Sequence, residues 1–179
     1  MSANWNLSNE RKWAKENALS AGPLHDLQAD LAFSLGSGQE WLNYSGSVIG
    51  FMLHEGTNQM YVAYSGPSAS ALQTQQIQAR LKSLELGKNS KFIGHIDIDH
   101  KFLVAAENYE QHSGCAEKKL MSFAIANKLV IRRKSMAAFR ILRYGEHVFA
   151  EHIEPCSSCY ACIHVVRAKL FGVPKKTAS

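Results

Sequence analysis

Apolar and polar positions recur with different periods along the chain, and the periods divide it into elements. Over residues 24–35 the apolar positions 24, 27, 31 and 35 lie on one face of a helix. Residues 48–54 (VIGFMLH) and 60–64 (MYVAY) are rich in β-formers and flank the short, turn-like link 55–59, so they read as paired strands. Gly66-Pro67 ends the second strand. Over residues 69–86, Ala71, Leu72, Ile77, Leu81 and Leu84 keep a roughly helical spacing in a Gln-rich background, and Gly87 stops that helix. Residues 92–98 read as another short strand. After Gly114, the positions Ala116, Leu120, Phe123, Ala124 and Ile125 form the buried stripe of a helix. Residues 137–144 fit a helix or a strand equally well. Residues 147–153 (HVFAEHI) follow the turn Tyr144-Gly145-Glu146 and read as a strand that Pro155 closes. Cys159, Ile163, Val166 and Leu170 then share one face of a helix over 156–171.

From residue 47 the order is strand, strand, inserted helix, helix, strand, helix. That pattern predicts an α/β fold with helices packed on a sheet in three layers. The first 20 residues are polar, with Trp5 and Trp13 set among Asn, Ser, Lys and Glu, and suit a short amphipathic helix or a flexible arm. The expected organisation is an N-terminal arm or helical linker over 1–45 and one domain over 46–179. At 179 residues, 46% hydrophobic and 20% charged, the chain has the size and balance of a globular domain, which excludes collagen, coiled coil and wholesale disorder. Mean hydropathy is −0.20 and no apolar run approaches the length of a bilayer span, so no membrane partner is expected. The N-terminal residues lack a basic start followed by an apolar stretch, so no secretory signal is expected. The expected location is the cytoplasm, or a target cell reached without a recognisable signal peptide.

Charge is distributed unevenly. Residues 1–117 carry 8 Lys and Arg against 12 Asp and Glu, a net of −4, whereas residues 118–179 carry 12 against 3, a net of +9. A basic C-terminal third suits a polyanion such as nucleic acid; a solvated basic face without a partner fits the same count.

The 4 cysteines change the picture most. Cys115 stands in Cys115-Ala116-Glu117; Cys156, Cys159 and Cys162 crowd together after Pro155. Such spacing reads as metal binding or catalysis before cross-linking. Cys156 and Cys159 are three apart at a helix start, so both sulfurs point the same way. Helix N-termini favour thiolates through exposed N–H groups and the helix dipole. Three thiolates can fill three corners of a zinc tetrahedron and leave the fourth for water. Glu117, two residues after Cys115, is placed to shuttle a proton beside such a water. Cys162 offers a fourth thiol, and a closed four-Cys site would be purely structural. It lies six residues after Cys156, about 120° around a helix, which favours a small buried residue instead.

These residues resemble the zinc-dependent cytidine deaminase superfamily, whose pattern is His- or Cys-x-Glu followed by Pro-Cys-x-x-Cys. The resemblance covers roughly residues 47–170. It implies a three-layer α/β/α sandwich with a mixed sheet, here short of the strands that usually follow the second motif helix. It implies Zn2+ held by Cys115, Cys156 and Cys159, and Glu117 as the catalytic proton shuttle. The reaction implied is hydrolytic deamination of cytosine at C4, or of adenine at C6. Ala116 is implied as a backbone contact to the base. Within the superfamily the Cys-Ala-Glu version and the basic third look most like bacterial toxin and effector deaminases, which would bring an immunity protein as partner.

Further candidates for the substrate wall are Asn108, Tyr109 and His112 ahead of Cys115, and Tyr64 and Ser65 at a strand end. An Asn or Tyr there could read or stack on a base; an ordinary polar loop accounts for them almost as well. His95, Asp97, Asp99 and His100 (HIDIDH) resemble a carboxylate–imidazole metal site, with a hydrogen-bonded loop the better account. The expected function is conversion of cytosine to uracil in a polynucleotide, DNA or RNA. A free nucleoside deaminase and a non-catalytic, zinc-stabilised nucleic-acid-binding domain remain open.

Overall fold

A computed structural model describes residues 7–42, 47–94 and 115–172. Six helices and five strands follow one another as α1 (Leu7–Asn17), α2 (Gly22–Gly36), α3 (Gln39–Leu42), β1 (Val48–Leu53), β2 (Met60–Tyr64), α4 (Ala71–Ser83), β3 (Ser90–Phe92), α5 (Ala116–Ala126), β4 (Ala137–Tyr144), β5 (His147–Ile153) and α6 (Ser157–Phe171).

The strands form one open, mixed sheet in the order β3-β2-β1-β4-β5. β1 is antiparallel to β2 and to β4, β4 is antiparallel to β5, and β2 and β3 run parallel. Strand pleating sends alternate side chains to opposite faces, and each face has its own core. Ile49, Phe51 and Leu53 of β1 join Met60, Val62 and Tyr64 of β2 in a cluster with Leu31 and Leu35 of α2 and Ile77 and Leu81 of α4. Met52, Tyr61 and Ala63 point the other way, into a cluster with Ala14 of α1, Leu120 and Ala124 of α5, and Tyr160 and Ile163 of α6. The fold is therefore α/β, with helices on both faces of the sheet. Residues 7–42 contribute to both cores, α1 to one and α2 with α3 to the other.

Local chemistry explains several boundaries. Ser70 Oγ accepts from Gln73 N at 3.1 Å while Gln73 Oε1 accepts from Ser70 N at 2.9 Å, a reciprocal cap that starts α4. Gly145, at φ +61, opens the two-residue turn between β4 and β5. The buried amide of Gln28 in α2 donates to Ser135 O at 2.7 Å and accepts from Ser20 Oγ at 2.7 Å, tying α2 to the entry of β4.

One sequence expectation changes and one open reading is decided. The short strand expected over 92–98 begins earlier and ends at Phe92, with Ser90, Lys91 and Phe92 paired to Met60, Tyr61 and Val62; residues 95–98 lie outside the described residues. Residues 137–144 are a strand. Their apolar positions serve both faces of a sheet, and they pair with β1 on one side and β5 on the other. Among the described residues no strand follows α6.

Candidate metal centre

Two helix starts build the site. Cys115 is the N-cap of α5, with φ −63 and ψ 132, and Cys156 is the N-cap of α6, with φ −67 and ψ 167. Cys156 caps with its own sulfur, which accepts from Cys159 N at 3.4 Å. Cys159 is fully buried one turn into α6. A third partner positions α5: Gly50 of β1 lets the helix approach so closely that a methyl there would lie 3.0 Å from Ala116 Cβ. The result is three thiols, from Cys115, Cys156 and Cys159, all within 4.8 Å of one another. A zinc tetrahedron with bonds of about 2.3 Å has sulfur–sulfur edges of roughly 3.8 Å. The donor set therefore fits zinc with a small inward movement. Cys162 is buried one turn further along α6 and does not join the group.

The electrostatics couple these groups. The hydrogen bond to Cys156, joined by burial and by the nearby charges of Cys156 and Glu117, pushes the Cys115 thiol up to about 12. Hydrogen bonds to Cys115 and Cys156, together with burial, push Cys159 up as well. Crowded thiols resist ionisation because each new thiolate repels the next; a bound cation reverses that logic and deprotonates them. Glu117 is buried beside them, and its carboxyl is raised to about 7, first by burial, with the charge of Cys156 adding to it. Its own backbone N–H and Lys118 pull in the opposite direction. Glu117 acts in turn on Cys115 and Cys159, so the carboxyl is electrically coupled to all three thiols.

No family model, curated protein or solved structure matches this chain. The chemistry of the centre therefore rests on its own residues.

The remaining sequence candidates divide. Ala116 is fully buried, its methyl against Gly50, so only its backbone is left for a ligand. The Tyr64 ring lies in the opposite core, edge-on to Trp41 at 4.8 Å and beside Phe92 at 4.8 Å. It is a packing residue on the face away from α5. Ser65 Oγ accepts from Ser47 N at 3.1 Å and Val48 N at 2.9 Å, so its oxygen secures the entry to β1. Asn108, Tyr109 and His112, and the HIDIDH segment, lie outside the described residues. Tyr160, beside Cys159, is fully buried, with Arg11 of α1 over its ring at 5.7 Å.

Charge counting misread Lys118 and Lys119. Both are buried, so they leave the basic surface. Lys119 Nζ donates to Tyr64 O at 2.8 Å and Gly66 O at 2.7 Å, clamping the end of β2 to the helix that carries Cys115 and Glu117. The signal was their position: Lys119 lies three residues after Ala116 and beside Leu120, within the stripe that packs on the sheet.

The rest of the basic third is divided too. Lys128, Arg132, Arg133 and Lys134 follow the C-terminus of α5, an 11-residue helix. That helix separates them from the thiols by about 16 Å. Lys169 lies in the last turn of the 15-residue α6, at the same far end. Cations there complement the negative ends of two helix dipoles. A cavity of about 190 Å³ with Leu53, Met60 and Arg132 in its wall also sits at that end, away from the thiols. Among the described residues no helix is long and apolar enough to cross a membrane.

Proposed function

We propose that the protein is a zinc-dependent hydrolytic deaminase that converts cytosine to uracil in a polynucleotide. One observation carries this reading: three thiols converge within 4.8 Å of one another, with the buried carboxyl of Glu117 two residues after the first of them. Structural zinc sites close with four protein ligands, whereas catalytic sites keep three and an open position. Among the described residues no fourth ligand joins the group, Cys162 included, which favours the open kind.

Cys115, Cys156 and Cys159 would hold the metal. Zinc, when bound, supplies the Lewis acidity that makes water a nucleophile near neutral pH. Glu117 does the proton work. It accepts a proton from the attacking water, delivers it to the ring nitrogen next to C4, and passes the second to the departing amino group. Water adds at C4, the C–N bond breaks, and ammonia leaves. The N-terminal peptide of α5, at Ala116, lies within this centre and offers a backbone contact to the base.

The test is the zinc-loaded protein against single-stranded DNA, duplex DNA, RNA and free cytidine, read by sequencing and by chromatography for uridine. Conversion in a polymer is expected. Glu117→Gln is expected to keep one zinc per chain and the fold while lowering conversion at least ~100-fold. An unchanged rate would remove Glu117 from its role. Zinc retained with no conversion of any substrate would leave a non-catalytic zinc domain, and conversion of cytidine alone a nucleoside deaminase. Growth arrest on expression, relieved by Glu117→Gln, would identify a toxin.

A further inference from the structure

Among the described residues, the β4–β5 hairpin is covered on one face only. Cross-strand partners share a face, so Gly50 and its partner Ala138 both face α5. Along β4 the same face carries Arg140, Leu142 and Tyr144; across the pair, His147 and Phe149 stand opposite Tyr144 and Leu142. The other face, with Phe139 and Ile141, is packed under α2. Arg140 is one pleat step, about 6.8 Å, beyond the row on which Ala116 sits. The hairpin then continues outward from the metal centre with its aromatic side chains open. Tyr144 is 64% exposed and Phe149 51% exposed. The Tyr144 and Phe149 rings are 5.9 Å apart, and His147 lies 6.4 Å from Phe149.

We infer that this face, Arg140 with Leu142, Tyr144, His147 and Phe149, binds the nucleotides next to the target base in a single-stranded nucleic acid. The inference rests on the polynucleotide reading above and assigns it a surface. Three features select this occupant. Exposed rings beside a guanidinium are the chemistry of base stacking with phosphate contact, which no purely apolar partner needs. Arg140 is the first exposed residue of β4, one pleat step past the buried Ala138 that shares a row with Gly50 under α5, so a strand lying on this face starts beside the metal centre. Its length suits an extended strand: from Arg140 to Tyr144 the face spans about 13 Å, room for two or three bases. Glu151, opposite Arg140, partly offsets the guanidinium, and Glu146 lies in the turn. Stacking rather than charge therefore carries the affinity. Arg143 points to the covered face, where it donates to Gly36 O at 3.3 Å.

The test is fluorescence anisotropy of the full-length, zinc-loaded protein with labelled single-stranded DNA and RNA of mixed sequence. Tyr144→Ala and Phe149→Ala are each expected to weaken binding at least about fivefold, and the double variant further. Zinc content and melting temperature are expected to stay as they were, as is conversion of free cytidine. Unchanged affinity of the double variant would overturn the inference. So would a dimer in sedimentation equilibrium that these substitutions dissociate, because the face would then join two copies. Hairpin-dependent binding without deamination of any polymer would remove the proposed activity and keep this surface. Deamination of a polymer with hairpin-independent binding would do the reverse.

Discussion

Gly50 and Ala116 meet at the point where the sheet supports the candidate metal centre. A methyl on Gly50 would lie 3.0 Å from Ala116 Cβ and 3.1 Å from Leu120 Cδ1, tighter than ordinary contact. Ala116 separates Cys115 from Glu117, so moving it moves a thiol of the triad and the buried carboxyl together. Gly50→Ala is expected to destabilise the fold by about 1–3 kcal/mol, the usual cost of overpacking. It is also expected to weaken zinc binding, because α5 must rise from β1. Urea denaturation and a competitive chelator titration check the two effects; full zinc affinity in a destabilised variant would separate the contact from the centre.

Lys119 gives the second relationship. Its ammonium spans from α5 to two carbonyls at the end of β2, at 2.8 and 2.7 Å. Charge-assisted bonds of this kind are strong, and a buried cation needs both. Lys119→Met removes the two bonds and is expected to cost about 2–4 kcal/mol. Lys119→Arg, longer and planar, is expected to recover only part of it. Chemical denaturation of the two variants beside the unaltered protein is the measurement. Equal stability of Met and Lys would show that the clamp contributes nothing net.

Short local patterns were the most legible part of the chain. Cys115-Ala116-Glu117 and Pro155-Cys156-Ser157-Ser158-Cys159 each sit where a chain enters a helix, and helix entry alone brings the sulfurs of each segment to one end. The meeting of the two ends is a property of the sheet, since both helices must pack on the same face. The faces themselves were hidden. Tyr64 alternates correctly for a strand, but alternation does not say which set of side chains meets α5, and the pleat sent Tyr64 to α3 and β3 instead. Residues 137–144 hold apolar side chains at both periods, and pairing with β1 on one side and β5 on the other made them a strand. Lys118 and Lys119 counted as surface charge until packing buried their stems.

The two buried cysteines of α6 are expected to differ. Cys159 belongs to the group of three thiols and Cys162 does not. Cys159→Ser is expected to abolish tight zinc binding, whereas Cys162→Ser is expected to retain one zinc per chain. The cost of the Cys162 substitution is a packing cost only, about 1–2 kcal/mol for burying a hydroxyl in place of a thiol. Elemental analysis after dialysis decides. Loss of zinc from both variants would make the site a closed one and remove the open coordination position that deamination requires.

Acid is expected to loosen the opposite face of the sheet. The His152 imidazole is lowered below its ordinary value of 6.5, first by burial and then by His25, against the opposing pull of Glu154. His25 of α2 lies edge-on at 4.8 Å, and Phe139 lies 5.7 Å from His152. A histidine that is harder to protonate in the folded chain binds fewer protons there than in the unfolded chain. Stability therefore rises with pH through this window and falls as pH drops below about 6.5 toward the depressed value. His152→Gln removes the group and is expected to flatten that part of the profile. Melting temperatures between about pH 7.5 and about pH 5.5 give the comparison; Glu117, raised to about 7, titrates in the same window in both proteins and cancels in the difference. The metal-free protein is the sample to use, because protonation of thiol ligands would otherwise add its own acid sensitivity. An acid slope that persists unchanged in His152→Gln would assign it to other groups and leave the contact between α2 and β5 indifferent to pH.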